Sequence, residues 1–194
     1  MDEVFFISHP EVAVDPALPV PSWSLNPAGR ERMASFANED FLGGVTSIWT
    51  SCETKAVEAG TILGDVLGLP IIAVEALGEN DRSATGFVPP EEFEELADRF
   101  FAHPEVSVRG WERAIDAQRR IRAAVDTVIA EAPPGSLAIV AHGGVGTLLL
   151  CHRLGVAIER RHDQPFQGHF WRSRRSDGTV LHGWRPIAPR SVRG

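Results

Sequence analysis

Apolar positions in this chain fall into two kinds of run. Four are short and continuous: Val4-Phe5-Phe6-Ile7, Val45-Thr46-Ser47-Ile48-Trp49-Thr50, Ile71-Ile72-Ala73-Val74 and Leu137-Ala138-Ile139-Val140-Ala141. They lack the strict apolar–polar alternation of a half-buried strand. Their length and β-branched content predict strands, those at Val4, Val45 and Leu137 covered on both faces as in a parallel sheet between helical layers. The longer runs repeat at helical spacing. Asn26-Pro27 pairs a capping side chain with proline at the first helical position and predicts a helix through Arg30, Met33 and Phe36. Ser51 is expected to cap a second helix, which carries Ala56, Ala59, Ile62, Leu63 and Val66 and stops at Gly68.

Beyond the third strand the pattern turns polar until Pro89-Pro90, which opens an acidic helix from Glu91 to Ala102. A long amphipathic helix is expected from Trp111 to Ala132, with Ile115, Ile121, Val125 and Val128 along its apolar stripe. Another helix spans Gly143 to Leu154 and ends at Gly155. The tail from Gly168 to Trp184 alternates around Ser176-Asp177-Gly178 and predicts a β-hairpin. No internal repeat or linker divides the sequence. Residues 1–194 therefore read as one α/β domain, a three-layer α/β/α sandwich with a mainly parallel sheet.

Composition narrows the partners. The formal charge is −7 over 194 residues, which argues against nucleic acid or an anionic membrane surface as a partner. The acidic start lacks the basic and apolar segments of a secretory signal, and no apolar stretch approaches the ~20 residues of a membrane span. Two cysteines, Cys52 and Cys151, are too few for a disulfide framework, so the cytoplasm is the expected address. Eighteen arginines accompany a single lysine, Lys55.

The chemistry gathers at strand ends. His9 follows the first strand and His142 the fourth, and open α/β sheets bind ligands at the carboxyl ends of their strands. The residues His9, Thr50-Ser51-Cys52-Glu53-Thr54-Lys55-Ala56, Leu77-Gly78-Glu79-Asn80-Asp81-Arg82 and Val140-Ala141-His142-Gly143-Gly144 come in an order that resembles the histidine phosphatase superfamily. That family includes the cofactor-dependent phosphoglycerate mutases and acid phosphatases. The resemblance runs from about Val4 to Gly155 and implies a phosphoglycerate mutase-like fold. It implies His9 as the nucleophile that becomes phosphohistidine, Glu79 as proton donor, and His142 as a catalytic partner. Glu75 is the competing carboxylate for the donor role. Ser8, Lys55, Arg82 and Gly143 are the implied ligand-binding groups. The expected ligand is a small phosphorylated metabolite or inorganic phosphate, with no metal and no cofactor.

Phosphate monoester hydrolysis is among the slowest uncatalysed reactions, which explains this choice of residues. A neutral imidazole splits the displacement into two steps, a carboxylic acid protonates the leaving oxygen, and fixed positive charge stabilises the phosphoryl oxygens. The departures from the family pattern are specific. Family members carry Arg-His-Gly where this chain has Ser8-His9-Pro10, and arginine where it has Lys55. Glu11 is expected to add negative charge near the phosphate. Arg82 and Arg109 are the cations placed to compensate. The missing first arginine points away from mutase chemistry, which must retain a bisphosphorylated cofactor. A competing reading is a catalytically degenerate member that binds an anion or a protein partner. Oligomeric state is not legible.

Overall fold

A computed structural model describes residues 2–190. Its strands are β1 (Glu3–Ser8), β2 (Val45–Thr50), β3 (Ile71–Ala73), β4 (Ser136–Ala141), β5 (His169–Arg174) and β6 (Val180–Pro186). All join one sheet in the order β3-β2-β4-β1-β5-β6. The first four of that order run parallel, and β5 and β6 add an antiparallel edge hairpin beside β1. The α-helices are α1 (Pro27–Ala37), α2 (Thr54–Leu67), α3 (Pro90–Ala102), α4 (Ala114–Glu131) and α5 (Gly143–Leu154).

Strand alternation sorts the apolar residues onto two faces. Phe5, Ile7, Ala138 and Val140 pack with Met33, Phe36 and Leu63 beneath α1 and α2. Val4, Phe6, Leu137 and Ile139 pack with Phe100, Ile121, Val125 and Leu148 beneath α3, α4 and α5. Burying both sides is why these runs are continuously apolar, and each fully buried Phe, Leu or Ile contributes roughly 1.5–3 kcal/mol. The three-layer arrangement agrees with the sequence reading.

Two helix starts differ from expectation. Glu53, not Ser51, occupies the N-cap position of α2, because the Ser51 hydroxyl is engaged with His142. The long helix begins at Ala114 rather than Trp111. Trp111 is buried on the preceding loop, against Phe93 and Phe100, so its apolar character reflects the core and not the helix. The predicted cap at Asn26 is present, its Oδ1 accepting from the Gly29 amide at 2.8 Å.

Candidate active site

Register brings the two histidines together. Ser8 pairs with Ala141 across the parallel β1–β4 ladder, and the His9 amide donates to the Ala141 carbonyl at 3.0 Å. On the other side of β4, the Ser51 amide donates to the Val140 carbonyl at 3.1 Å. The ends of β1, β4 and β2 thus present His9, His142 and Ser51 side by side. The imidazole centroids lie 5.3 Å apart with the rings steeply inclined.

Each ring is held differently. His9 Nδ1 lies 2.9 Å from the Pro10 carbonyl, an acceptor that fixes the proton on Nδ1 and leaves the Nε2 lone pair free. Burial, then the charges of His142 and Lys55, push His9 down to about 3, so the ring is neutral at ordinary pH. His142 Nε2 lies 2.7 Å from Ser51 Oγ and 3.3 Å from Glu53 Oε1. Its Nδ1 is buried without a hydrogen-bond partner among the described residues. Burial also lowers His142 to about 3, against the opposing pull of Glu53 and with Lys55, Arg82 and Arg120 adding to the shift.

The turn from β2 into α2 supplies a buried ion pair. Lys55, 3% exposed, donates to the Glu53 carboxylate at 2.5 Å and to the Val20 carbonyl at 2.9 Å. Burial alone would raise the Glu53 carboxyl, but His142, Lys55 and the Glu79 amide together hold it down at about 2. The sequence pattern presents Lys55 as a ligand-binding cation. In the structure a carboxylate and a carbonyl already accept from it.

Glu79 lies on the loop after β3, and its oxygens accept from the Gly144 and Val145 amides at 3.1 and 2.9 Å. It therefore caps the head of α5, a position favourable to a negative charge. Arg120 holds this loop by donating to the Ala76, Gly78 and Glu79 carbonyls, while Glu112 pairs with the guanidinium. The glycines permit the approach. A Cβ at Gly144 would sit 2.7 Å from Glu79 Oε1, and one at Gly143 would clash with Gln164 Nε2.

A cavity of about 360 Å³ runs past His9, Glu79, Arg82, Gly143 and Gln164. A second, of about 250 Å³, also reaches His9 and is lined by Lys55, Arg82 and a set of apolar side chains. Arg82 projects between them, its guanidinium 5.2 Å from the Phe93 ring centre and 5.6 Å from that of Trp111. Among the described residues no ion pair engages it.

Several expectations are revised. Ser8 stands behind the site, fully buried, donating to Gln164 Oε1 at 2.5 Å and accepting from the His169 amide at 3.0 Å. It positions Gln164 and does not line either cavity. Glu11 does not bring its charge to the phosphate position. Its carboxylate is bound by Arg32 at 2.7 Å and Arg190 at 3.2 Å. Arg109 pairs with Glu92 at the surface and compensates nothing in the pocket. Glu75 sits in a short turn outside both cavities.

Three residues of the candidate site have no role assigned by the sequence pattern: Glu53, which lies within the Thr50–Ala56 segment, Asp163 and Gln164. Asp163 lines the larger cavity and bonds Thr147 Oγ1 at 2.8 Å, and burial raises its carboxyl to about 6. Both Asp163 and Gln164 lie on the loop after α5, where only the flanking Pro165 marks the chain. Among the described residues no group of three or more His, Cys, Asp or Glu side chains is arranged to hold a metal ion, and no helix is long and apolar enough to cross a membrane.

Comparison with known proteins supports the fold. The chain is similar in fold to YhfR of Bacillus stearothermophilus, at a TM-score of 0.79 and 20% identity over 94% of this chain and 95% of that one. A mycobacterial glucosyl-3-phosphoglycerate phosphatase superposes at 0.75 and 18% identity, covering 95% and 96%. A phosphoserine phosphatase from Entamoeba histolytica superposes at 0.71 and 12% identity, covering 95% and 98%. No curated protein matches by sequence. The family model described as histidine phosphatase superfamily (branch 1) matches residues 20–171, a span that contains Lys55, Glu79 and His142 and begins after His9. The chain belongs to the histidine phosphatase superfamily.

Proposed function

We propose that this protein is a phosphomonoesterase that works through a phosphohistidine on His9. The observation that carries the reading is the state of that ring. Its Nδ1 proton is bound by the Pro10 carbonyl, no hydrogen bond engages its Nε2 among the described residues, and the residue lines a cavity. Its low pKa keeps it a nucleophile across ordinary pH.

In the first step His9 Nε2 attacks phosphorus, the N–P bond forms and the P–O bond to the leaving group breaks. Glu79 donates a proton to the departing oxygen, since a phosphate dianion arriving beside it favours the neutral carboxyl. In the second step water attacks phosphorus, gives its proton to Glu79, and the N–P bond breaks to release inorganic phosphate. With its proton on Nδ1, His142 accepts the Ser51 hydroxyl at Nε2 and offers the otherwise unpartnered Nδ1–H to a phosphoryl oxygen. Lys55 has three ammonium protons and two bound acceptors, which leaves one for the same purpose. Arg82 adds further positive charge at the cavity wall, and the α5 head at Gly143 borders the pocket.

A degenerate, anion-binding role is the second reading. The observation in its favour is that Glu53 neutralises Lys55 and Glu79 already caps α5. Phosphate release from a panel of phosphomonoesters, run from about pH 4 to 8, separates the two. The enzyme reading expects release that falls to background in His9→Ala. Equal rates for wild type and variant would reject it.

A further inference from the structure

The geometry points to an apolar leaving-group subsite next to His9: we infer that the preferred substrates are phosphate esters of single-ring or short branched apolar alcohols. The inference rests on the phosphatase reading above and adds to it the class of alcohol released.

The smaller cavity opens at His9 and Lys55 and extends between Val12, Val20, Trp23, Phe87, Val88 and Trp111. What decides its chemistry is how its polar atoms are spent. Trp23 Nε1 donates to the Asp15 carbonyl at 2.8 Å, and Trp111 Nε1 donates to Thr85 Oγ1 at 2.8 Å. Both indoles therefore present only carbon to the cavity. Glu94, at its rim, is paired with Arg160 at 2.6 Å. Lys55 is turned to Glu53 and Val20. Arg82, stacked on the Phe93 and Trp111 rings, and Gln167 are the lining side chains whose polar groups are not spent in this way. A sugar or glycerol moiety here would still bury hydroxyls among mostly apolar walls, and each unsatisfied hydroxyl is costly. An arene loses nothing and covers the Trp23–Phe87 pair, whose ring centres lie 5.7 Å apart. Size agrees as well. A cavity of about 150 Å³ holds benzene, so the 250 Å³ available takes one ring and a short linker.

The test compares benzyl phosphate with glycerol 1-phosphate, two primary-alcohol esters of similar intrinsic reactivity. Burying the ring should raise kcat/KM for benzyl phosphate about tenfold or more over glycerol 1-phosphate. Phe87→Ala, at a partly exposed position, should narrow that ratio. In parallel, binding of benzylphosphonate and methylphosphonate is read from tryptophan fluorescence, because Trp23 and Trp111 line the cavity. Turnover of both esters at equal kcat/KM overturns the subsite and leaves the phosphatase reading standing. No turnover of either, with benzylphosphonate bound more tightly than methylphosphonate, supports the subsite and removes the phosphatase reading. Equal or absent binding of the two phosphonates overturns the subsite.

Discussion

Replacing Lys55 by methionine strands a carboxylate in the interior, and the cost can be reasoned from the contacts. Glu53 has a side chain 15% exposed and gains from Lys55 at 2.5 Å, from the Glu79 amide at 2.9 Å and from His142 at 3.3 Å. At an effective dielectric of about 20, charge centres roughly 4 Å apart attract by about 4 kcal/mol. That gross gain is offset by the cost of desolvating two ions, so the intact pair adds little net stability. Once one ion is removed the other keeps its desolvation cost and loses its partner, and the expected loss is about 3–5 kcal/mol. Glu53→Gln on the Lys55→Met background removes the stranded charge yet keeps an oxygen for the Glu79 amide. The double variant should therefore lie within about 1 kcal/mol of wild type, a coupling of at least ~2 kcal/mol. Urea unfolding of wild type, both single variants and the double variant at neutral pH measures the cycle. A double variant that loses the sum of the two single losses would refute the reasoning.

Two further outcomes follow from the site. His9 and His142 are each held at about 3, against an ordinary 6.5. Between those values the unfolded chain binds more protons than the folded one, so stability is full above pH 6.5 and is lost as pH falls toward 3. At pH 5 the loss is about 2 kcal/mol for each histidine, and coincident urea midpoints at pH 7 and pH 5 would contradict it. Glu79→Gln should lower kcat by about 10²–10⁴ on benzyl phosphate, whose alkoxide needs a proton. The deficit should shrink on p-nitrophenyl phosphate, whose phenolate leaves unaided. Equal deficits on both esters would assign Glu79 to capping α5 alone.

Much of the frame was legible because it depends on local pattern. Continuous apolar runs specified doubly covered strands at β1, β2 and β4, whereas β3 lies at the sheet edge with Ile72 exposed. His9 and His142 end two of the covered strands that happen to be neighbours in the sheet. What failed depends on direction, which adjacency in sequence does not supply. Glu11 is two residues from His9, yet its backbone amide and carbonyl lie against Gly29 and its carboxylate turns to Arg32. Ser8 occupies the place of a family arginine, but its side chain points to Gln164 and β5. Ser51 has the composition of a helix cap, and the demand of His142 for a hydroxyl overrides that preference. Glu53 carries no motif of its own in the reading of the chain. Its importance comes from lying between Lys55, His142 and the Glu79 amide, three groups from separate segments. Gln164 and Asp163 belong to an aperiodic loop whose role is set wholly by tertiary contact.

The most direct measurement is capture of the covalent intermediate. Wild type and His9→Ala are mixed with a radiolabelled phosphomonoester, quenched in alkali within the first turnovers, and digested to locate the label. The expected result is alkali-stable, acid-labile phosphate on the wild-type peptide that contains His9, and none on the variant. Steady phosphate release with no label on that peptide, or label retained by His9→Ala, would contradict catalysis through His9.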